Sequence, residues 1–357
     1  MRVLHLAPLW FPVARDSFGG IETFLAGLIT ALERLGCENT LIASGDSRTP
    51  AKLVPVAPLN LYTAMETGLA AEYVYYEQHQ LLLALERASD FDVVHSHIGW
   101  GGYVLSGVPG LQTRVLHTQH IPVSGDQGWF IGQRSSMWFS TVSDFQARKL
   151  RQHGATRCQV INNGIDVEAF TFQAHGGEGL LFLGRMEREK GPDLAVQVAR
   201  TLNRPLILAG PMIDGEFFDH AIKPLLNDQI QYIGVVDHRE KDVLLGQAAC
   251  LLMPSRCDEA WGMVSLEALA CGTPVVALAN GGLPEIIEPG LTGYVTRDER
   301  ALPTLVTQAV KLDRAAIRAR VTARFDFRAV ADKYRQLYTQ IVKDAPGRQR
   351  SLRSDFG

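Results

Sequence analysis

The stretch Cys250-Leu-Leu-Met-Pro-Ser-Arg-Cys-Asp-Glu-Ala-Trp-Gly-Met-Val-Ser-Leu-Glu-Ala-Leu-Ala-Cys-Gly-Thr-Pro-Val-Val-Ala277 reads as strand, loop, short helix and strand. Cys250–Met253 is a short unbroken apolar run. The small-residue helix that follows is stopped by Gly272, and Pro274 enters the next apolar run. Two buried strands joined by a helix form a parallel crossover, the unit of a doubly wound sheet.

The same alternation runs through the whole chain. In the first half the apolar runs are Val3–Ala7, Thr40–Ala43, Val93–His95, Val115–Thr118, Phe139–Val142 and Gln159–Ile161, with helical stretches such as Ile21–Leu35 and Ala70–Ala88 between them. In the second half they are Leu180–Leu183, Pro205–Ala209, Ile230–Ile233, Cys250–Met253 and Pro274–Ala277. This pattern predicts an α/β protein with a parallel sheet in each half. The 357 residues suit two such domains, since domains cluster at about 100–200 residues. Loop-like residues 166–179, with Gly176-Gly177, mark the boundary, giving domains at 1–168 and 169–325. A further periodic segment follows at about Phe327–Val342. The tail 346–357, with Arg348, Arg350 and Arg353, lacks apolar periodicity and is expected to be disordered.

Composition narrows the function. A hydrophobic fraction of 46% and a charged fraction of 20% describe a well-packed soluble chain, and a net charge of -3 argues against a wholesale nucleic-acid binder. The apolar opening Val3–Ala7 runs into Pro12, Arg15 and Asp16 without a cleavage site, so it reads as a buried first strand and not as a signal peptide. No stretch reaches the roughly 20 apolar residues of a membrane span. Five scattered cysteines, including Cys257, read as reduced thiols. The expected setting is cytoplasmic, soluble or peripheral on the inner face of a membrane, although nothing in the sequence calls for membrane contact.

Glu259 and Glu267 flank the loop-to-helix transition after Met253, with Ala260, Trp261, Gly262, Met263 and Val264 between them. Helix-opening amides beside a glycine cradle phosphate or sugar oxygens, and a carboxylate at each end accepts hydrogen bonds from vicinal hydroxyls. Arg185 and Lys190, directly after the strand Leu180–Leu183, supply fixed cations that stabilise the charge of a departing diphosphate. Gly19-Gly20-Ile21-Glu22 opens a helix with apolar positions at Ile21, Phe24, Leu25, Leu28 and Leu32, so its amides also face an anion. Histidines gather at the carboxyl ends of two strands, His95 and His97 on one, His117 and His120 on the next, where open α/β sheets bind ligands. No carboxylate or thiol stands at ligand spacing to them, so a zinc site is not expected. Trp100, Tyr103, Trp129 and Trp138 are candidate aromatic platforms for an acceptor ring.

The pattern Pro254-Ser255-x-x-x-Glu259-x-x-Gly262-x-x-x-x-Glu267-Ala268-x-Ala270-Cys271-Gly272-Thr273-Pro274 resembles that of the family-four retaining glycosyltransferases. Leu183-Gly184-Arg185 with Lys190-Gly191, and Asn162-Asn163-Gly164-Ile165-Asp166, resemble two further motifs of that family, with Asn162 in place of its usual proline. The resemblance covers nearly the whole chain. It implies the GT-B architecture of two facing Rossmann-like domains, with an acceptor domain first and a nucleotide-sugar donor domain second. It also implies that segment 326–345 packs back on the first domain.

The implied activity is retaining transfer of a hexosyl unit from a nucleoside diphosphate sugar to an acceptor hydroxyl. A UDP-glucose-like donor is favoured and GDP-mannose stands second, with no cofactor and no metal. His120, Arg185, Lys190 and Glu259 would be catalytic. Gly19, Gly20, Arg185, Lys190, Glu259–Val264 and Glu267 would hold the donor; Glu22, His97, Trp100 and Gln119 would face a small-molecule, glycan or lipid-linked acceptor. Asp90-Phe91-Asp92 imitates the metal motif of the other major glycosyltransferase fold but precedes a strand, so it reads as a decoy. A sugar-nucleotide epimerase of the same fold and a noncatalytic sugar-nucleotide binder are the alternatives. A nicotinamide enzyme is disfavoured by the missing Gly-x-Gly-x-x-Gly fingerprint.

Overall fold

The computed structural model describes residues 1–345; the basic tail expected at 346–357 lies outside the described residues. Seven parallel strands form the first sheet: β1 (Arg2–Leu6), β2 (Glu38–Ala43), β3 (Lys52–Pro55), β4 (Val93–Ser96), β5 (Val115–Gln119), β6 (Trp138–Thr141) and β7 (Arg157–Val160), in the order β3-β2-β1-β4-β5-β6-β7. Six form the second: β8 (Leu180–Leu183), β9 (Leu206–Ala209), β10 (Ile230–Tyr232), β11 (Cys250–Met253), β12 (Val275–Leu278) and β13 (Gly293–Thr296), in the order β10-β9-β8-β11-β12-β13. Two of these strands, β3 and β13, were not among the apolar runs. Each is a half-exposed edge strand, without the continuous burial that makes a central parallel strand legible.

The helices of the first lobe are α1 (Gly20–Arg34), α2 (Leu61–Glu66), α3 (Tyr73–Arg87), α4 (Gly125–Gln133) and α5 (Asp144–Gln152). Those of the second are α6 (Pro192–Leu202), α7 (Gly215–Phe217), α8 (His238–Gln247), α9 (Met263–Ala270), α10 (Leu283–Ile286), α11 (Leu302–Ala309) and α12 (Arg314–Phe325); after a one-residue break, α13 (Phe327–Asp344) returns to the first lobe. Helix α1 buries Phe24, Leu25, Leu28 and Leu32 of the stripe its spacing predicts, with Ile29 in addition, while Ile21 is only half-buried. Helix α5 is capped by Ser143, whose hydroxyl accepts from Gln146 N, and α8 opens with a capping box of Asp237 and Glu240.

The chain passes between the sheets twice, and the two passages lie side by side. Ile165 N donates to Phe325 O at 2.8 Å, next to the bridge between Ile165 and Asp326. Arg318 ties the first passage to the second lobe by donating to Val167 O, Phe170 O and Ala270 O. Asp326 then caps α13, which lies on α1. Its Val330, Tyr334, Leu337, Tyr338 and Ile341 join the core that holds Phe24 and Leu28. Phe327 fills a slot that only glycines leave open, since a Cβ at Gly27 would collide with its ring and one at Gly164 would stand 2.8 Å from it. Tyr338 Oη reaches His95 Nδ1 at 2.7 Å, fixing the helix to β4.

In both sheets the strand order reverses direction at the centre, between β1 and β4 and between β8 and β11. The crevice at the carboxyl end of such a switch point is where open parallel sheets take ligands. The loops after β1, β4, β8 and β11 carry most of the candidate residues. Asp90 and Asp92 lie at the opposite edge, before β4, where Asp92 Oδ2 accepts from Arg2 N at 2.9 Å.

Candidate active site

The second lobe's share of the crevice is set by glycines that let loops touch. Gly191 (φ 73°) abuts the Pro254 carbonyl so closely that a Cβ would overlap it, which brings the Lys190 loop against the loop after β11. Gly281 (φ 63°) packs on the Glu259 backbone, where a Cβ would collide with the carbonyl oxygen and stand 2.5 Å from the amide nitrogen. Gly262 (φ 99°) ends that loop and starts α9, in a conformation that side chains resist. Glu259 is thereby held from both sides.

Lys190 Nζ lies 2.6 Å from Glu259 Oε1, and Ser255 Oγ donates to the same oxygen at 2.7 Å. Eight residues on, Glu267 is buried in α9 with Oε1 2.7 Å from Lys241 Nζ. Its Oε2 is buried without a partner and belongs to a carboxylate lining the cavity between the lobes, with Arg15, Thr23, Asp166, His238 and Met263. An unpaired buried carboxylate oxygen is costly unless a donor arrives. Arg185 is half-exposed and turned onto Glu187, its Nε at 2.8 Å and its Nη2 at 2.6 Å from Oε1. It follows Gly184, whose N donates to Ala209 O at 2.9 Å.

The first lobe faces this constellation with the opening of α1. A Cβ at Gly20 would lie 3.7 Å from Met263 Cγ, so the two helix starts meet across the crevice. Glu22 is buried behind Gly19, and burial pushes its carboxyl up to about 7. His120, partly buried, places Nε2 3.0 Å from His97 Nδ1, and the rings stack with centroids 5.3 Å apart. Desolvation lowers His120 to about 3 and His97 well below the ordinary value, so both are neutral and one donates to the other.

Several expectations need correction. Tyr103 and Trp138 are core residues, 4% and 5% exposed, and cannot be aromatic platforms. Only Trp100 and Trp129 stand in solvent, at 65% and 68%. Gln119 is buried and braces its own loop: Oε1 accepts from Tyr103 Oη at 2.8 Å and Nε2 donates to Ile121 O at 2.7 Å. The histidines are more tightly gathered than the strand ends suggested. His5, His95 and His97 bring nitrogen atoms within 4.8 Å of one another, although both nitrogens of His95 are engaged by Tyr338 and Thr118.

Three contributors were not read from the sequence, Lys241, Gly281 and Glu285, and Ser255 was read only as part of the family pattern. The Gly281-Gly282 pair after β12 was the available signal, of the same kind as Gly19-Gly20. Glu285 reaches across the lobes, its Oε2 accepting from Asp144 N at 2.7 Å and Oε1 from Phe145 N at 2.8 Å, a carboxylate on the N-terminus of α5. Lys149 and Asp258 add a second link at 3.2 Å.

Two Rossmann-like sheets whose switch points face one another across a crevice define the GT-B class. Residues 18–169 match the model of Glycosyltransferase Family 4, and residues 169–322 match that of Glycosyl transferases group 1; the chain belongs to this family of glycosyltransferases. It is 31% identical over 261 residues to glycogen synthase of Mycobacterium tuberculosis, a match that covers 68% of this chain and 59% of that protein. To D-inositol 3-phosphate glycosyltransferase of Mycolicibacterium smegmatis it is 28% identical over 344 residues, covering 81% of this chain and 77% of the relative. The fold matches that of Anabaena HepE, whose structure was solved in complex with UDP-glucose, with a TM-score of 0.72 at 17% identity over 95% of this chain and 100% of the other. Among the described residues no helix is long and apolar enough to cross a membrane.

Proposed function

We propose that the chain transfers a hexosyl unit from a nucleoside diphosphate sugar to an acceptor hydroxyl with retention of configuration and without a metal ion. The observation that carries this reading is the pair of carboxylates on one loop-helix unit after β11, each paired to a lysine, with Glu267 Oε2 left unpartnered in the interlobe cavity. Glu259 orients the hydroxyls of the donor hexose. Glu267 Oε2 accepts from the ribose, which satisfies the orphaned oxygen. Lys190 and Arg185 stabilise the diphosphate as the sugar bond breaks, Arg185 exchanging Glu187 for phosphate. The amides of Gly262, Met263 and Val264 at the start of α9, and those of Gly19 and Gly20, add dipoles of the right sign.

The acceptor oxygen bonds to the anomeric carbon on the face that the diphosphate leaves, and its proton passes to the departing phosphate oxygen. His120, neutral and held by His97, lines the first lobe's side of that step. UDP-glucose is the favoured donor, consistent with the ligand of Anabaena HepE, and GDP-mannose is second. A thermal-shift panel of sugar nucleotides in EDTA tests the reading. A bound donor at about 100 times its Kd adds about 2.7 kcal/mol, hence several degrees of melting temperature. UDP-glucose should give the largest rise, and no rise with any sugar nucleotide refutes the proposal.

A further inference from the structure

The loop between β1 and α1 carries a row of aromatic rings that the donor chemistry does not use. Trp10 packs on Tyr73 with ring centroids 5.2 Å apart, Phe11 on Tyr62 at 5.5 Å and Phe11 on Phe18 at 5.4 Å. Phe18, Tyr62 and Tyr73 remain 57%, 48% and 37% exposed. Contiguous exposed apolar surface rimmed by polar residues is a mark of interaction and ligand-binding sites.

The row is held rigidly. Leu61 N donates to Leu9 O at 2.8 Å and Tyr62 N to Trp10 O at 3.3 Å, joining α2 to the loop. Gln80 Nε2 donates to Ala7 O at 2.7 Å, and Arg48 N to Val13 O at 2.8 Å. The row is also continuous with the crevice. A Cβ at Gly19 would stand 3.1 Å from Phe11 Cδ2, while the next glycine faces Met263 across the cleft. A ligand lying on the rings therefore has its near end at the opening of α1.

We propose that Trp10, Phe11, Phe18, Tyr62 and Tyr73 form the acceptor platform, and that the acceptor is a saccharide of at least two rings whose apolar faces stack on it. The platform rests on the glycosyl-transfer reading for its role, but not for its ligand class. Pyranose rings present C–H faces to aromatic planes and hydroxyl edges to charged groups. Both are supplied: the Asp16–Arg48 pair, 2.6 Å apart, and the Glu66 carboxylate beside the Tyr62 hydroxyl rim the row. A lipid surface fits poorly, because the same segments carry Asp16, Asp46, Glu66, Glu72 and Glu77 against Arg15 and Arg48, and each of those arginines is paired with an aspartate. Anionic membranes attract clusters of unpaired cations.

Saturation-transfer NMR on the full chain with UDP present tests this, using maltotriose and cellotriose as saccharide probes and farnesyl phosphate as the apolar one. We expect saturation of trisaccharide ring protons. It should fall at least fivefold in the double variant Phe18→Ala, Tyr62→Ala and persist in Tyr62→Phe, while calorimetric affinity for UDP stays within twofold. Trisaccharide binding unchanged in the double variant, binding of farnesyl phosphate alone, or no binding of any probe overturns the proposal. Wild-type protein that ignores UDP but binds a trisaccharide through these rings sinks the donor reading and leaves the platform standing.

Discussion

Lys190 Nζ sits 2.6 Å from Glu259 Oε1, joining the loop after β8 to the loop after β11. Both side chains are largely shielded from solvent, so the pair fixes two chemical groups at one switch point. Replacing Glu259 by Gln keeps an acceptor for Ser255 and Lys190 but removes the charge. The expected result is a fall of about 100-fold in turnover, the order found when an oriented polar contact to a reacting group is lost. Affinity for UDP should change less than about threefold. Equal losses in turnover and UDP affinity would move Glu259 from the sugar to the nucleotide.

Gly281 touches no expected ligand, yet its substitution should act on Glu259. Gly281→Ala places a Cβ against the Glu259 backbone at a positive φ, which strains the loop and displaces the carboxylate. Turnover should drop at least tenfold with a melting temperature only a few degrees lower. Full activity in a folded Gly281→Ala protein would show that the position of Glu259 is not set by this contact.

The two lobes are clasped by Glu285 on the N-terminus of α5. Glu285→Ala leaves the amides of Asp144 and Phe145 without their carboxylate and removes the dipole contact. Small-angle scattering of the unliganded variant should give a larger radius of gyration than wild type, and donor should restore it in part. Identical scattering curves would locate the hinge restraint elsewhere.

Burial holds Glu22 at about 7 against an unperturbed 4.5. A carboxyl whose folded value is raised contributes stability below its unfolded value and loses it as pH climbs through the folded one, here between about 4.5 and 7. The buried histidines act in the opposite sense. His5 lies at about 4, with His117 and His120 at about 3, so their share is present above 6.5 and lost as pH falls. Glu22→Gln isolates the carboxyl: relative to wild type it should gain melting temperature between pH 5 and pH 8, with a ceiling of about 3 kcal/mol. A difference that is flat with pH would show that Glu22 is not held protonated.

The places of Arg185, Lys190 and Glu259 in the fold were legible because these residues follow central strands. Runs such as Leu180–Leu183 and Cys250–Met253 are buried on both faces, so their ends, and with them Arg185, Lys190 and Glu259, could be placed by counting. Edge strands β3 and β13 carry no such signal. Partners brought together by the fold alone were equally invisible, as with Lys241 and Glu267, 26 residues apart, or Glu285 and Asp144, 141 apart. The aromatic candidates failed for a different reason. Trp138 and Tyr103 have the composition of a platform, but burial, which decides whether a ring packs or binds, depends on neighbours from other elements.

The most direct test of the donor site is calorimetric titration of UDP-glucose, in EDTA, into the wild-type chain and into Lys190→Ala. The account predicts one site per chain in the wild type and an affinity at least tenfold weaker in the variant, from loss of the cation beside the diphosphate. Equal affinity in the two proteins, or binding that vanishes in EDTA and returns with magnesium, would contradict it.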